Sequence, residues 1–451
     1  MSITAARLGS SPLTLDWSGL GPLSPEKSAL ESAWKKLYAR FDSGEIGFFR
    51  APTTEEISQV AESRALAEKV LASGLTDCLF LGIGGSSLGP ISLLAALRES
   101  CRTTVRFHFL ENPDPIEWKL TIRNLDPART LVCCVTKSGT TFETVAQFLC
   151  ALEWLGQARW KTQVVAITDP EKGDLKAFAK DQGLPTLHIH PSLGGRFSIF
   201  SPVGLFAASL AGLNTDDFLK GAQQISEHVE KAPLEKSPIM LLAQEFLRQY
   251  ERRNIHVCMP YSTQLRIFGD WFVQLWGESL GKDRKGFTPI AAVGATDQHS
   301  ILQLLRDGPD DKITMFITVD RVPDEVTIPK VFAGMEVSRY PSFALLQGHT
   351  LHHLLQVEKN AISRVLSRAN RPHLTIQLDR LDERNLGALY FAFSLLTAMT
   401  GTLWNVNPFD QPGVEEGKVY IRDSLAAERV QRQDEDNPHS PVARLRRNTS
   451  D

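Results

Sequence analysis

Short, almost continuously apolar runs alternate along this chain with longer amphipathic stretches, and that alternation constrains the fold more than any other feature. CLFLGI (78–83), VRFHFL (105–110), TLVCCVT (130–136), QVVAIT (163–168) and TLHIH (186–190) have the length and composition of strands covered on both faces. Helical stretches such as Thr141 to Leu155 separate them. NIHVCMP (254–260), TPIAAVG (288–294), ITMFITV (313–319) and LTIQLD (374–379) repeat the pattern, among helical stretches at 214–252, 264–281, 340–368 and 382–402. Such β-α alternation implies parallel sheets with right-handed crossovers. The expected organisation is α/β: a helical lead-in (1–49), a first domain (50–212), a second domain with connecting helices (213–422), and a charged helix and tail (423–451) carrying the DEDN and RLRR runs.

At 451 residues the chain is too long for one simple core, which fits two domains. A net charge of −3 offers no field for wrapping nucleic acid or an anionic membrane. No secretory signal opens the sequence, and no run of 18 apolar residues marks a membrane span. None of the six cysteines forms a Cys-x-x-Cys pair, and Cys133 and Cys134 stand together in an apolar run. Reduced thiols without an export signal point to the cytoplasm.

Two strand-to-helix loops have the chemistry of anion binding. In Leu81-Gly82-Ile83-Gly84-Gly85-Ser86-Ser87-Leu88-Gly89-Pro90, glycines allow a tight turn and close approach to a ligand. The helix start supplies N–H groups, and Ser86 and Ser87 add hydroxyls. A plain turn with capping serines has the same look. A dinucleotide fingerprint needs glycine at position 87, where serine stands, although Glu111 ends the next strand where a ribose-binding acid belongs. The second loop, Val135-Thr136-Lys137-Ser138-Gly139-Thr140-Thr141-Phe142-Glu143-Thr144, packs four hydroxyls and a lysine into six positions. Capping by Ser138 or Thr140 uses one or two of them. The lysine precedes the glycine, so this is no Walker loop, and a phosphate on a small molecule fits better than a nucleoside triphosphate.

These two loops, with GGRFSIFSPVGL (194–205), QLWGESLGK (274–282), DQHSILQLL (297–305) and NPFDQPGVEEGK (407–418), occur in the order seen in glucose-6-phosphate isomerases. The chain resembles the shorter bacterial members of that family from residue 82 to residue 418. The resemblance implies two sugar-isomerase (SIS) domains, each a doubly wound parallel sheet between helix layers. It implies an obligate homodimer that interconverts glucose 6-phosphate and fructose 6-phosphate in glycolysis and gluconeogenesis, with no metal and no organic cofactor. By motif it puts Ser86, Thr136, Ser138 and Thr141 on the phosphate, and lines the site with Gly85, Lys137 and Gln411. Arg196, Gln274, Glu278, His299 and Lys418 surround the reacting end of the sugar, with His299 reaching the neighbouring subunit's site.

The chemistry asks for such residues. The ring must open, and a proton must pass from carbon 2 to carbon 1 through an enediolate. One carboxylate can serve as base and then acid; Glu278 lies four residues after Gln274, on the same helix face. Arg196, after Gly194-Gly195, offers a fixed cation to the enediolate oxygens, with backbone room at Gly195 beside the ligand. His299 and Lys418 can move the ring-opening protons. Singly, each reads as an ordinary surface or structural residue; their motifs carry the assignment. His188 and His190 share a strand face but have no third ligand in view, and His352 and His353 point apart on a helix. The alternatives are a sugar-phosphate-binding regulatory module, which needs the hydroxyl loops but not Glu278, His299 and Lys418 together; an isomerase also acting on mannose 6-phosphate; and a nicotinamide dehydrogenase, disfavoured by Ser87.

Overall fold

The computed structural model describes residues 4–332, 335–336 and 339–436. Two short strands, β1 (Ala5–Arg7) and β2 (Leu13–Asp16), precede the first helix, Lys27–Asp42. The expected helical lead-in is therefore part strand. Four residues such as LTLD are too few to show a period, and they become a strand only by pairing with a distant partner.

The first sheet takes β3 (Asp77–Leu81), β4 (Arg106–Leu110), β5 (Thr130–Val135), β6 (Val164–Thr168) and β7 (Thr186–His188) in the order β4-β3-β5-β6-β7. Every pairing in it is parallel. β3, β5 and β6 are buried along their whole length, which is why their sequences are apolar rather than alternating. Helices Phe142–Leu155 and Asp174–Gln182 cover one face through Phe148, Leu152, Leu155, Leu175 and Ala179. The chain leaves β3 for β4 on one side and later builds outward from β5 on the other. The order thus reverses between β3 and β5, where open α/β sheets bind ligands at the strands' carboxyl ends.

The second sheet adds β8 (Ile255–Pro260), β9 (Thr288–Ala291), β10 (Lys312–Arg321) and, after a short hairpin of β11 (Val331–Phe332) and β12 (Met335–Glu336), β13 (His373–Arg380). Its order is β1-β2-β13-β10-β8-β9. The four later strands are parallel, whereas β2 runs antiparallel to β13 and β1 antiparallel to β2. The second sheet is therefore mixed at one edge, not purely parallel.

Two helical stretches are each divided. Residues 214–252 hold Thr215–Lys231 and Pro238–Gln249, separated at Pro233 and Pro238, and 340–368 hold Pro341–Leu346 and Leu351–Arg368. The helix Glu383–Leu403 runs through the centre and packs on Thr215–Lys231, Pro238–Gln249, Lys27–Asp42 and Arg266–Leu280. Its 18-residue apolar window has a mean hydropathy of 1.5, enough to cross a membrane by length and composition, but 89% of that window is buried inside the fold. Gly387 lets it touch Thr215–Lys231: a Cβ there would stand 1.8 Å from the Phe218 carbonyl.

The chain falls into two compact units, Met1–Pro408 and Phe409–Asp451, and both sheets belong to the first. Within the second, Glu415–Asp436 is one helix. The expected boundary at 423 falls inside it, because no breaker follows Gly417. Asn437 and the RLRR run lie outside the described residues.

Candidate active site

Both hydroxyl loops leave the carboxyl ends of the strands that flank the reversal point, β3 and β5. After β3, Gly84 has φ +58°, and a Cβ on it would come within 2.9 Å of the Gln274 amide nitrogen. Gly85 is tighter: its Cβ would lie 2.3 Å from the Gly195 carbonyl carbon and 2.6 Å from the Arg196 nitrogen. Only glycine lets the backbone of the arginine block pass against this loop. Ser198 fastens the crossing, its hydroxyl lying 3.2 Å from the Gly85 carbonyl and 2.6 Å from that of Gly195. The Ser86 hydroxyl makes no hydrogen bond among the described residues.

Ser87 is fully buried, and its hydroxyl donates to the Glu111 carboxylate. Burial first, then the neighbouring charges of Glu117 and Asp270, push the Glu111 carboxyl above its usual range despite that bond. The acid that a dinucleotide would place on a ribose is here tied to the turn.

After β5, four hydroxyls converge, with Thr140 Oγ1 donating to Ser138 Oγ at 3.2 Å. Thr136 Oγ1 is 2.9 Å from Thr141 Oγ1 and 3.4 Å from Ser138 Oγ, and Ser138 and Thr141 are 3.4 Å apart. Thr141 is the N-cap of helix Phe142–Leu155, yet its side chain caps nothing. The capping roles expected for Ser138 or Thr140 are not taken up either, so the hydroxyls stand together at a helix amino terminus with its N–H groups. One turn on, the buried Thr144 hydroxyl has no hydrogen-bond partner among the described residues. Lys137 turns away from this cluster. Its ammonium donates to the Pro191 carbonyl at 2.7 Å and the Leu193 carbonyl at 2.6 Å, and burial lowers its pKa. It anchors the turn that leads into Gly194-Gly195-Arg196.

The reactive side chains meet at the end of helix Arg266–Leu280. Glu278 Oε1 accepts from Arg196 Nη1 at 3.1 Å, and Oε2 accepts from Gln274 at 3.0 Å. The i, i+4 spacing puts Gln274 and Glu278 on one face, as the sequence requires. The Gln274 carbonyl oxygen is buried and accepts no hydrogen bond among the described residues. Arg196 also donates to Ser279 Oγ at 2.7 Å and to the Pro408 carbonyl at 2.6 Å. Ser279, Ser198 and the Pro408 carbonyl were not legible as site residues; nothing in type or spacing separates them from other serines and carbonyls.

One compact unit therefore brings together Gly85, Gly195, Arg196, Gln274 and Glu278, and separately groups Thr136, Ser138 and Thr141 beside the same strands. His299 lies in the first turn of helix Gln298–Asp307, exposed, and its imidazole has no hydrogen bond or ion pair among the described residues. Gln411 and Lys418 belong to the second unit, where Lys418 pairs with Glu415 at 2.7 Å. His188 and His190 go to different partners, Lys176 and Ser192.

A parallel sheet with hydroxyl loops at its reversal point, followed by a second, largely parallel sheet, is a fold shared with phosphosugar isomerases of known structure. The glucose-6-phosphate isomerase of Chlamydia trachomatis shares it with a TM-score of 0.76 at 24% identity, over 98% of this chain and 92% of its own. The tagatose-6-phosphate ketose/aldose isomerase of Escherichia coli shares it with a TM-score of 0.52 at 14% identity, over 87% and 98%. At family level the match is direct. The phosphoglucose isomerase model covers residues 56–441, and the glucose-6-phosphate isomerase of Rubrobacter xylanophilus is 44% identical over 383 residues, 82% of this chain and 87% of its own. The chain belongs to the phosphoglucose isomerase family.

Proposed function

We propose that this chain is an aldose–ketose isomerase that interconverts glucose 6-phosphate and fructose 6-phosphate, a step of glycolysis and gluconeogenesis. The observation that carries the reading is Glu278, held at both carboxylate oxygens by Arg196 and Gln274. In this reading Ser86, Thr136, Ser138 and Thr141 take the phosphate at two helix amino termini. The open-chain sugar then extends toward Glu278, which removes the carbon-2 proton and returns it to carbon 1. Arg196 offsets the negative charge that develops on the enediolate oxygens, and Gln274 orients the carboxylate. His299 and Lys418 move the ring-opening protons, with Gln411 lining the site. This chemistry runs on a carboxylate, two cations and an imidazole, and asks for no cofactor.

We place the enzyme in the cytoplasm as a homodimer in which His299 serves the neighbouring subunit. Its exposed, unbonded imidazole supports that assignment, and six unpaired cysteines fit a reducing compartment. A regulatory module needs the phosphate loops but not a doubly held Glu278. The test is a coupled assay from fructose 6-phosphate with a strong chelator present. Turnover is expected; activity lost to chelator and restored by a divalent metal overturns the cofactor-free mechanism. Mannose 6-phosphate in the same assay decides whether specificity extends to the carbon-2 epimer.

A further inference from the structure

We propose that Lys282 is a positioning residue for this isomerisation, acting on Arg196 through two consecutive backbone carbonyls; the proposal rests on the isomerase reading above. The Arg196 guanidinium reaches acceptors on two segments. Glu278 and Ser279 belong to helix Arg266–Leu280, and the Pro408 carbonyl belongs to the other. A carbonyl on an irregular segment is a poor anchor unless the segment is itself held.

Lys282 holds it. Its ammonium donates to the Asn407 carbonyl and, at 3.1 Å, to the Ser279 carbonyl. Arg40 adds a bond to the Asn407 side chain at 3.1 Å, and Lys285 reaches the Trp404 carbonyl at 3.5 Å. Residues 278–279 and 407–408 are thus cross-linked by two cations, Arg196 and Lys282. Each reaches both segments.

The backbone that presents Lys282 is a second, independent observation. Asp283 and Arg284 have φ of +53° and +60°, in a turn closed by the Lys285 N–H on the Lys282 carbonyl at 2.8 Å. Two successive left-handed residues ordinarily call for Asn-Gly, and neither is glycine here. Such strain persists where surrounding contacts over-determine it, and this turn carries the contacts of Lys282 and Lys285 with residues 404–407. Without Lys282 the Asn407–Pro408 backbone loses its tie to the Ser279 carbonyl, which loosens the Pro408 end of the Arg196 fork and its angle to Glu278. A misplacement of about 1 Å at reacting groups costs on the order of 10²-fold in rate.

The test is a kinetic cycle with Lys282→Met, Lys282→Arg, Arg196→Lys and the double variant Lys282→Met/Arg196→Lys, assayed well below the melting temperature. Lys282→Met is expected to lower kcat by about 10- to 100-fold with KM changed less than about twofold, and Lys282→Arg to retain most of kcat. In the Arg196→Lys background, Lys282→Met should cost less than about twofold more, because both changes break one linkage. A kcat for Lys282→Met within twofold of wild type overturns the proposal. So does a full, additive loss on top of Arg196→Lys, or an equal fall in Lys282→Arg. If Lys282→Met does not fold, Lys282→Gln is read against the same limits. An inactive wild-type protein would count against the isomerase reading instead, so the two failures are distinguishable.

Discussion

Arg196 and Glu278 meet at 3.1 Å, and the arginine side chain is 1% exposed while the glutamate is 26% exposed. The cation is locked in place, and the carboxylate at its tip remains reachable. That asymmetry suits a fixed charge serving a group that must touch a substrate. Glu278→Gln keeps the shape and one acceptor oxygen for Arg196 or Gln274 but removes the base. The variant is expected to fold with an unchanged melting temperature and to lose about 10²–10⁴-fold in kcat, with a much smaller change in KM. Turnover near wild type would mean that another group takes the proton.

The triangle of Thr136, Ser138 and Thr141 leads to a different kinetic signature. Ser138→Ala and Thr141→Ala should mainly raise KM for phosphosugars, because these hydroxyls stand away from the Arg196–Glu278 pair. Inorganic sulfate should compete weakly with substrate at the same helix amino terminus. A rate unaffected by saturating sulfate at low substrate and constant ionic strength would move the phosphate elsewhere.

The His299 imidazole makes no hydrogen bond or ion pair among the described residues, which sets up a complementation experiment. Glu278→Gln and His299→Ala homodimers are each expected to be nearly inactive. After subunit exchange, a mixed dimer holds one site with both defects and one with neither, so activity should rise toward about a quarter of the wild-type level. Demonstrated exchange without recovery would place His299 in its own subunit's site or outside the reaction.

Behind the helix of Glu278, His256 on β8 is fully buried, with both ring nitrogens unbonded. It lies against Phe287 at 4.2 Å, Phe246 at 4.5 Å and Trp276 at 5.5 Å between ring centroids. Burial pushes its pKa down to about 3 from 6.5. The unfolded chain therefore takes up a proton below pH 6.5 that the folded chain refuses until about pH 3. Stability from this residue is intact above 6.5 and falls with pH through that window, by about 1.4 kcal/mol per unit. In His256→Phe, the loss of stability between about pH 6.5 and pH 5 should be smaller by roughly 2 kcal/mol, as read from urea midpoints. Equal losses in the two proteins would show that the imidazole is not held neutral.

The sequence made the parallel strands plain because burial on both faces leaves unbroken apolar runs, as in TLVCCVT. It hid β2, since Leu13–Asp16 is a strand only through its partner. Gly85 was legible as a flexible point but not as the place where a second backbone crosses. Lys137 read as part of the phosphate loop by position, yet the geometry spends its ammonium on the Pro191 and Leu193 carbonyls. Spacing reports which residues share a loop or a helix face. It does not report which way a long side chain turns, nor that the Arg196 fork closes on Ser279 and Pro408.

Asp16 of β2 pairs with Thr375 of β13, so a strand made early along this stretch waits for one made much later. At ordinary elongation rates of about 5–20 residues per second, that wait is on the order of a minute or less. Until it ends, β2 has no partner across which to close the sheet. Once β13 forms, its outer edge is an open ladder unless β2 is at hand to cover it. In the folded protein β2 covers that edge and leaves only the three-residue β1 outside it. Deleting residues 5–16 should appear first as a loss of soluble yield, and only secondarily as a lower melting temperature in whatever protein survives.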